Sequence, residues 1–367
     1  MSPKAYPVVS GRTDLGQISG AEVQQNLIAR ELSRRGHTIS FVTYDYGQED
    51  GIDCDGIRVY KMCRPHAGIP GLRFFHPQWT SLWRAMARAN ARVYYQRTAG
   101  CETGQCALWC RLKMRKFIFA VASDTDCDPR GIFLDTRRDR WLYRAGLRLA
   151  NEVVAQTESQ YGVLRRAFGI DPLLVRSCAE LPVNWKPVDL SHERRRHLLW
   201  IGRISPKKRF EWLLDLAAVA PEFVIDVVMD TRPDSDIAEQ MLARARTLAN
   251  VRLQGRIQPQ RIGEFYERAG LVICTSLVEG FPNTLMEGWA RGVPSLTTFD
   301  PDGIVEAGRL GAVAASPGDL RRLAHELLDD PKRWRETSER ARSYFEQNHG
   351  VESAVDSYER ILKGLPI

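Results

Sequence analysis

Two glutamates flank a proline that would start a helix in the second half of the chain. In LVICTSLVEGFPNTLMEGWARGVPSL (271–296), an apolar run predicts a buried strand, Glu279 follows it, and Glu287 comes eight positions later. Pro282 favours the first helical position, because its fixed φ suits a helix start and no needed N–H is lost. Backbone N–H groups at 283–285 would then form an anion site. Carboxylates beside such a site suit a ligand that carries both phosphate and hydroxyl groups, such as a sugar nucleotide.

A pair of cations follows another predicted strand, LLWIGRI (198–204). The strand ends at Gly202, and Arg203 and Lys208 lie in the loop that leads to the next helix. Two cations at the carboxyl end of a strand can neutralise a diphosphate. Spacing alone leaves a plain alternative open, in which the glutamates are surface acids and the cations are solvated loop residues.

Taken together, the two motifs favour a ligand site over the plain alternative. GRISPKK, followed further along by TSLVEGFPNTLMEGWARGVPSL, strongly resembles the retaining GT-B glycosyltransferases of family 4. The pattern E-G-F-P-N-T-L-x-E is among the most specific signatures of that family. SGAEVQQNLIARELSRRGHTISFVT (19–43) is more weakly similar to the family's glycine loop and first helix.

The resemblance implies roles for particular residues. Arg203 and Lys208 would bind the diphosphate of the donor and stabilise it as a leaving group. Glu279 would contact the donor sugar, and Glu287 would hold the ribose hydroxyls. Gly20, in the glycine loop, would face the diphosphate from the other domain. The remaining expected donor-binding positions are Gly202, Gly280, Phe281, Pro282, Asn283, Thr284 and Leu285.

The activity implied is transfer of a sugar from a UDP- or GDP-linked donor to an acceptor hydroxyl, with retention and without a bound metal or other cofactor. Fixed cations would stabilise the departing diphosphate without reorganising. The acceptor would be a sugar, a lipid-linked sugar or a small molecule, in polysaccharide or glycoconjugate synthesis. The alternative is a degenerate partner protein that binds a sugar nucleotide without turning it over.

Short apolar runs that alternate with helical patterns predict an α/β protein with parallel sheets. We expect the GT-B arrangement of two Rossmann-like, doubly wound domains facing a central cleft, where ligands bind beyond the carboxyl ends of the strands. The predicted strands are 37–46, 56–62, 92–97, 116–123, 152–157, 198–204, 223–229, 251–255 and 271–276. The predicted boundaries are 1–182 for the acceptor-side domain, 183–348 for the donor-binding domain, and 349–367 for a helix that crosses back to the first.

Two features depart from the family pattern. Many relatives place a histidine after the strand equivalent to 116–123, whereas this chain has Ser123 and Asp124. Asp124 either takes over a positioning role at the reacting sugar or caps the following turn, as Asp does readily. The glycine loop reads Ser19-Gly20 where relatives often have two glycines, and Ser19 suits an N-cap with Glu22 in the first turn.

A third departure concerns the first strand. A doubly wound domain needs an apolar strand before its glycine loop, and that strand is central in the sheet. Only MSPKAYPVVSGRTDLGQI precedes Ser19. Its one β-branched pair, Val8-Val9, lies between Pro7 and Gly11. We expect the first domain to lack this strand, with the natural start lying upstream and MSPKAYP forming the end of the strand and the loop after it.

Charge and composition limit the partners. The net charge is +7, which mildly favours anionic ligands or surfaces. Arg97, at a strand's carboxyl end, could meet an acidic or phosphorylated acceptor. The helix predicted in 136–150 contains the aromatic residues Trp141 and Tyr143. It either makes peripheral contact with an anionic membrane or presents a solvated face above a stripe of core residues. Nucleic-acid binding has only the basic charge in its favour, and we exclude it.

Other site classes find little support in the sequence. No run approaches the ~18 apolar residues of a membrane span, and no secretory signal is present, so we expect a cytoplasmic protein with reduced cysteines. No G-x-G-x-x-G run supports a dehydrogenase. Neither Cys101, Cys106 and Cys110 nor Asp124-Thr125-Asp126 makes a convincing metal site.

Overall fold

The computed structural model describes residues 1–16, 18–131, 134–183, 185–186, 190–191, 193–233, 235–258 and 261–365. No helix within these residues is both long enough and apolar enough to cross a bilayer.

The chain divides into two compact units. Unit 1 comprises Met1–Cys178 together with Val351–Ile367, and unit 2 comprises Ala179–Gly350. The sequence had placed these boundaries after residues 182 and 348. Residues 184, 187–189 and 192, near the first of these boundaries, lie outside the described residues.

Unit 1 alternates strands and helices. Its strands are β1 (Ile39–Thr43), β2 (Ile52–Cys54), β3 (Ile57–Lys61), β4 (Val93–Arg97), β5 (Lys116–Ala120), β6 (Glu152–Ala155) and β7 (Leu173–Leu174). Its helices in this part of the chain are α1 (Tyr6–Val9), α2 (Gly20–Arg34), α3 (Thr80–Ala89), α4 (Cys101–Leu112), α5 (Arg137–Leu149) and α6 (Glu158–Val163). Helix α2 begins as predicted: Glu22 accepts a hydrogen bond from the Ser19 backbone N–H at 3.0 Å, the reciprocal half of a capping box.

The strands of unit 1 form two separate sheets, in the orders β1-β3-β2 and β4-β5-β6-β7. Residues 1–3 lie between them. The Ser2 N–H donates to Val42 O at 3.1 Å, and the Tyr44 N–H donates to Pro3 O at 2.7 Å, both on the β1 side. The Met1 ammonium donates to Tyr95 O on β4 at 2.5 Å. No strand of the described residues pairs with both β1 and β4.

Helices α4 and α5 pack unusually closely, because glycines face each other at their crossing. A Cβ on Gly104 would lie 2.3 Å from Leu142 O, and one on Gly146 would lie 2.6 Å from the Thr103 carbonyl carbon. The two aromatic residues of α5 differ in exposure. Trp141 is exposed, whereas Tyr143 is buried and its hydroxyl donates to Asp126 O at 2.7 Å, so Tyr143 belongs to the core stripe of the second sequence alternative.

Unit 2 is a doubly wound α/β unit. Its strands are β8 (His197–Ile201), β9 (Val224–Val228), β10 (Val251–Gly255), β11 (Leu271–Cys274), β12 (Ser295–Thr297) and β13 (Gly311–Val313). Its helices are α7 (Phe210–Val219), α8 (Asp236–Thr247), α9 (Ile262–Arg268), α10 (Asn283–Trp289), α11 (Ile304–Ala307), α12 (Pro317–Leu328) and α13 (Pro331–Asn348). All strand pairs in the sheet, ordered β10-β9-β8-β11-β12-β13, are parallel.

The predicted strands all appear, most of them with shorter bounds; β10 has the predicted bounds, and β8 begins one residue earlier than predicted. Four further strands, β2, β7, β12 and β13, are two or three residues long, too short for an alternation pattern to reveal them. The last helix, α14 (Val351–Gly364), belongs to unit 1. There Val355 and Tyr358 pack in one apolar cluster with Ile118 of β5 and Val154 of β6.

The glycine crossing of α4 and α5 yields a stability prediction. Gly146→Ala should lower the free energy of unfolding by about 2–3 kcal/mol, because the added methyl meets backbone that has no rotamer to move. Gly318→Ala is the matched control, since a Cβ there would meet only Ser316 Oγ at 3.8 Å. Chemical denaturation measures both. Equal stability of Gly146→Ala and the unsubstituted protein would contradict the close packing.

Candidate functional site

The site in unit 2 is built on two neighbouring strands that end level with each other. β8 and β11 are parallel partners, with Leu271 opposite Leu198 and Ile273 opposite Trp200. The loops after them, 202–209 and 275–282, therefore leave the same edge of the sheet. This is why residues far apart in the chain, Lys208 and Glu279, come together.

Hydrogen bonds join the two loops to each other. The Leu277 N–H donates to Lys207 O at 2.7 Å, and the Thr275 hydroxyl donates to Lys208 O at 2.7 Å. Arg209 adds a third connection, donating through Nε to Thr275 O at 3.0 Å and through Nη2 to Ser276 O at 3.1 Å. Sequence reasoning missed Arg209. Its only signal was its place in a run of basic residues, which does not show which cation turns inward.

Lys208 and Glu279 form an ion pair at this edge. The Lys208 Nζ lies 2.5 Å from Glu279 Oε1, and the Ser276 hydroxyl donates to the same oxygen at 2.6 Å. Both side chains are mostly buried. Burial acts to lower the pKa of Lys208, but the adjacent Glu279 carboxylate outweighs it and the pKa is raised. Lys208 is therefore a fixed cation, and its ammonium has three donors to share.

Arg203 and Gly202 occupy the start of the first loop. Arg203 is exposed, and it is close enough to Lys208 for its charge to act on the Lys208 pKa. Packing explains why a glycine stands at position 202, because a Cβ there would lie 2.7 Å from the Trp200 ring. The Trp200 indole in turn donates to Thr275 Oγ1 at 3.1 Å, so this ring supports both loops.

Glu287 lies in α10, where Tyr266 of α9 holds its side chain. The Tyr266 hydroxyl donates to Glu287 Oε2 at 2.7 Å. Burial raises the pKa of Glu287, and the Tyr266 hydrogen bond and the charge of Arg291 only partly oppose this. Tyr266 is a second residue that the sequence did not reveal, because a buried aromatic in a helix is indistinguishable from ordinary core.

The start of α10 differs from the prediction. Pro282 occupies the N-cap position with an extended ψ of 118°, and the helix begins at Asn283 rather than at the proline. The Leu285 N–H donates to Pro282 O at 3.1 Å, so it does not point outward as an anion donor. Because the first turn closes on the proline carbonyl, the expected row of outward N–H groups at 283–285 is shortened.

The residues before this helix anchor it. Phe281 is buried, with its ring centroid 6.1 Å from Trp289 and 4.4 Å from His349, and Gly280 is buried beside it. Asn283 and Thr284 are half-buried. The motif E-G-F-P-N-T-L-x-E thus combines site residues with core residues that hold the loop in place.

Two predicted site residues, Asp124 and Gly20, belong to unit 1. Asp124 follows β5 and accepts a hydrogen bond from Gln160 Nε2 at 2.8 Å. The capping carboxylate of this turn is that of Asp126, which accepts the Ala122 and Ser123 N–H groups at 2.9 and 3.2 Å. Gly20 is the exposed first residue of α2.

Metal ligands are not grouped in the part of the chain that the structure describes: no three His, Cys, Asp or Glu side chains are placed to hold an ion. Cys101, Cys106 and Cys110 all lie on α4 as free thiols. Burial raises the pKa of Cys110 to about 12, which keeps its thiol protonated.

Family models match both halves of the chain. Residues 19–179 match the glycosyl transferase 4-like domain, and residues 195–330 match glycosyl transferases group 1. Among curated proteins, the chain is 27% identical to D-inositol 3-phosphate glycosyltransferase 2 of Catenulispora acidiphila. That alignment covers 59% of this chain and 57% of the relative, so the chain matches little more than half of that protein's length.

Solved structures share the fold over nearly the whole chain. Sucrose-phosphate synthase from Thermosynechococcus elongatus has a TM-score of 0.76 at 16% identity, covering 94% of this chain and 93% of that one. HepE from Anabaena, solved with UDP-glucose, has a TM-score of 0.73 at 16% identity, covering 95% of this chain and 97% of that one. The α/β fold with parallel sheets that the sequence predicted, matching GT-B structures, is thereby confirmed.

The buried carboxyl of Glu287 yields a pH prediction. Because its pKa is raised in the folded state, its contribution to stability is complete below the unfolded pKa and is lost as pH rises through the folded value. Glu287→Gln keeps an oxygen for the Tyr266 hydroxyl and removes the buried charge. The variant should match the unsubstituted protein in thermal midpoint at mildly acidic pH and exceed it at neutral pH.

Thermal unfolding measured across that pH range tests this expectation. Glu264→Gln is the control, since the hydrogen bond from Arg261 lowers the pKa of that exposed carboxyl, and its removal should not raise the midpoint at neutral pH. A midpoint for Glu287→Gln that is lower by the same amount at every pH would contradict the assignment of a costly buried charge.

Proposed function

We propose that this chain, whose two halves match glycosyltransferase family models, transfers a sugar from a nucleoside diphosphate sugar to an acceptor hydroxyl, with retention and without a metal. The observation that carries the proposal is the Lys208–Glu279 pair at 2.5 Å, held by the loops after two neighbouring parallel strands with Arg203 beside it. A cation fixed at a carboxyl edge suits a diphosphate ligand.

Lys208 and Arg203 would bind the diphosphate leaving group and stabilise its charge. In the reaction, the bond between the anomeric carbon and the diphosphate oxygen breaks, and the electron pair stays with the diphosphate. The acceptor oxygen forms the new bond to the anomeric carbon, and its hydroxyl proton passes to the departing diphosphate. The Lys208 ammonium donates one N–H to Glu279 and has two others for phosphate oxygens. Since hydrogen bonds already hold its loop, little reorganisation is needed as the negative charge develops.

The carboxylates would bind the hydroxyl groups of the donor. Glu279 keeps lone pairs beyond those used by Lys208 and Ser276, and these can accept from sugar hydroxyls. Glu287, oriented by Tyr266, would accept from the ribose hydroxyls. Tyr266 is a positioning residue in this scheme, because it acts through Glu287.

UDP-glucose is the first donor to test, because the HepE structure contains it, with GDP-sugars as the alternative. The Catenulispora relative is named for an inositol phosphate acceptor, which makes phosphorylated polyols the first acceptors to try. A degenerate partner protein would bind the donor but neither transfer nor hydrolyse it, so turnover without acceptor separates the two functions.

Lys208→Ala should reduce donor turnover by about 100-fold or more, the usual loss when a preorganised group that stabilises developing charge is removed. Lys207→Ala removes an exposed neighbouring cation and should leave turnover close to that of the unsubstituted protein. Release of UDP from UDP-glucose measures both. Equal turnover in the Lys208→Ala variant would contradict the proposed leaving-group role.

A surface of unit 1 supports peripheral contact with an anionic membrane. Ile69, Leu72 and Phe75 are 69%, 62% and 58% exposed. Residues 56–100 contain no Asp or Glu but eight Lys and Arg. Lys61 and Arg88 pair with carboxylates outside this segment, and Arg97 is buried. Exposed apolar side chains beside the remaining cations are typical of binding to anionic lipid.

Helix α5 adjoins this apolar surface. The Arg138 guanidinium lies 3.5 Å from the ring centroid of Phe74, next to Phe75. Trp141 of the same helix is 67% exposed. The basic helix named from the sequence and the apolar segment are therefore parts of one surface, which we include in the proposal.

Vesicle sedimentation tests the membrane contact. The protein should bind vesicles that contain anionic phosphatidylglycerol more strongly than neutral phosphatidylcholine vesicles, and Ile69→Glu with Leu72→Glu should abolish the difference, because two charges would enter the apolar contact. Ile237→Glu, at an isoleucine of unit 2 that is 60% exposed, is the control and should bind normally. Equal binding by all three proteins would contradict this surface.

A further inference from the structure

Arg97, the last residue of β4, is a buried cation. The sequence had suggested that it meets an acceptor at the strand's carboxyl end, but its side chain is buried rather than exposed, at 6% accessibility. It donates through Nη2 to Gln156 Oε1 at 2.7 Å and to Ser177 Oγ at 2.9 Å. Thr98, the next residue along the chain, is exposed.

The three side chains come from three strand ends of one parallel sheet. Gln156 follows β6, and Ser177 follows β7 by a few residues. Both are buried, at 2% accessibility. The neighbouring backbone is fixed by Gln24 of α2, which accepts the Cys178 N–H at 2.9 Å. The cluster therefore occupies the edge of the sheet at which ligands bind in open α/β folds.

Among the residues that the structure describes, the charge of Arg97 has no counter-ion. The groups that act on it electrostatically are the phenol of Tyr95, which also forms a hydrogen bond with it, the phenol of Tyr358 and the thiol of Cys178. Within the described residues, no carboxylate is among its partners. A guanidinium stays protonated in proteins. Burying it without an anion is costly, so an anionic ligand would be bound strongly here.

The polar atoms that lack partners in this cluster are donors. Arg97 Nε and Gln156 Nε2 are both buried without a hydrogen-bond partner. Gln156 has its carbonyl oxygen engaged by Arg97 and by the Ser177 hydroxyl, which leaves its amide N–H groups for a ligand. Two unsatisfied donor groups around a cation fit a ligand that offers only acceptors, such as phosphate or carboxylate.

We propose that Arg97 and Gln156, with Ser177, form an anion subsite of unit 1 that binds the phosphate or carboxylate group of the acceptor. The acceptor would thus be a sugar phosphate, a polyol phosphate or an acidic sugar. The acceptor role rests on the proposed function, whereas the anion site itself depends only on the cluster. The subsite confers specificity by leaving buried donors unsatisfied when a neutral acceptor binds.

The test is calorimetric titration of the full chain with inorganic phosphate and, separately, with glucuronate, which distinguishes the two sources of negative charge. Arg97→Gln should weaken binding of the favoured anion about 10-fold or more. Arg92→Gln is the matched control, since Arg92 is exposed and directly precedes the same strand at its other end. This control should bind as the unsubstituted protein does.

Lys208→Ala separates this subsite from the donor site. Phosphate binding should persist in Lys208→Ala, and UDP binding should persist in Arg97→Gln. If UDP does not bind at all while phosphate binding depends on Arg97, the proposed function fails and the subsite stands. Phosphate binding that depends on Lys208 and not on Arg97 would overturn the subsite.

A second variant covers the case in which Arg97→Gln does not fold. Gln156→Leu keeps the guanidinium and removes one unpartnered donor, so it should weaken anion binding while the protein remains folded by circular dichroism. Full-strength anion binding in folded Gln156→Leu, or no anion binding by the unsubstituted protein, would also overturn the proposal.

Discussion

The ion pair between Lys208 and Glu279 is the interaction on which the site of unit 2 depends. Its two partners are 71 positions apart in the chain, and they meet because β8 and β11 are neighbours in a parallel sheet. Burial alone would lower the pKa of Lys208, and Glu279 reverses that effect. The carboxylate therefore has a structural role, keeping a lysine charged in a half-buried position, besides any contact with a sugar.

The positions of Lys208 and Glu279 are fixed by groups that contact no ligand in the proposed scheme. Arg209 joins both loops by donating to backbone carbonyls, and the Trp200 indole donates to Thr275 in the second loop. Tyr266 does the same for Glu287. Held groups do not reorganise when charge develops, which is the main physical advantage of a preorganised site over water.

Both units place donors at the carboxyl edge of a parallel sheet, but they balance the charge differently. In unit 2 the Lys208 cation has Glu279 as its partner, so the site is stable without a ligand. In unit 1 Arg97 has amide and hydroxyl partners and no carboxylate among the described residues. An anion that binds in unit 2 would join an ion pair that already exists. An anion that binds in unit 1 would neutralise the charge of Arg97.

The sequence by itself determined the class of fold, the positions of the longer strands, and the candidate residues Arg203, Lys208, Glu279 and Glu287, because apolar periodicity and short motifs are local properties of a chain. It placed Pro282 one position too far into its helix, and it revealed neither Arg209 nor Tyr266. Only the tertiary structure decided that Arg97 is buried without a counter-ion among the described residues and that the Leu285 N–H is already bonded. Burial, and the distance between side chains remote in sequence, arise from packing of the whole unit, and no local pattern of residues encodes them.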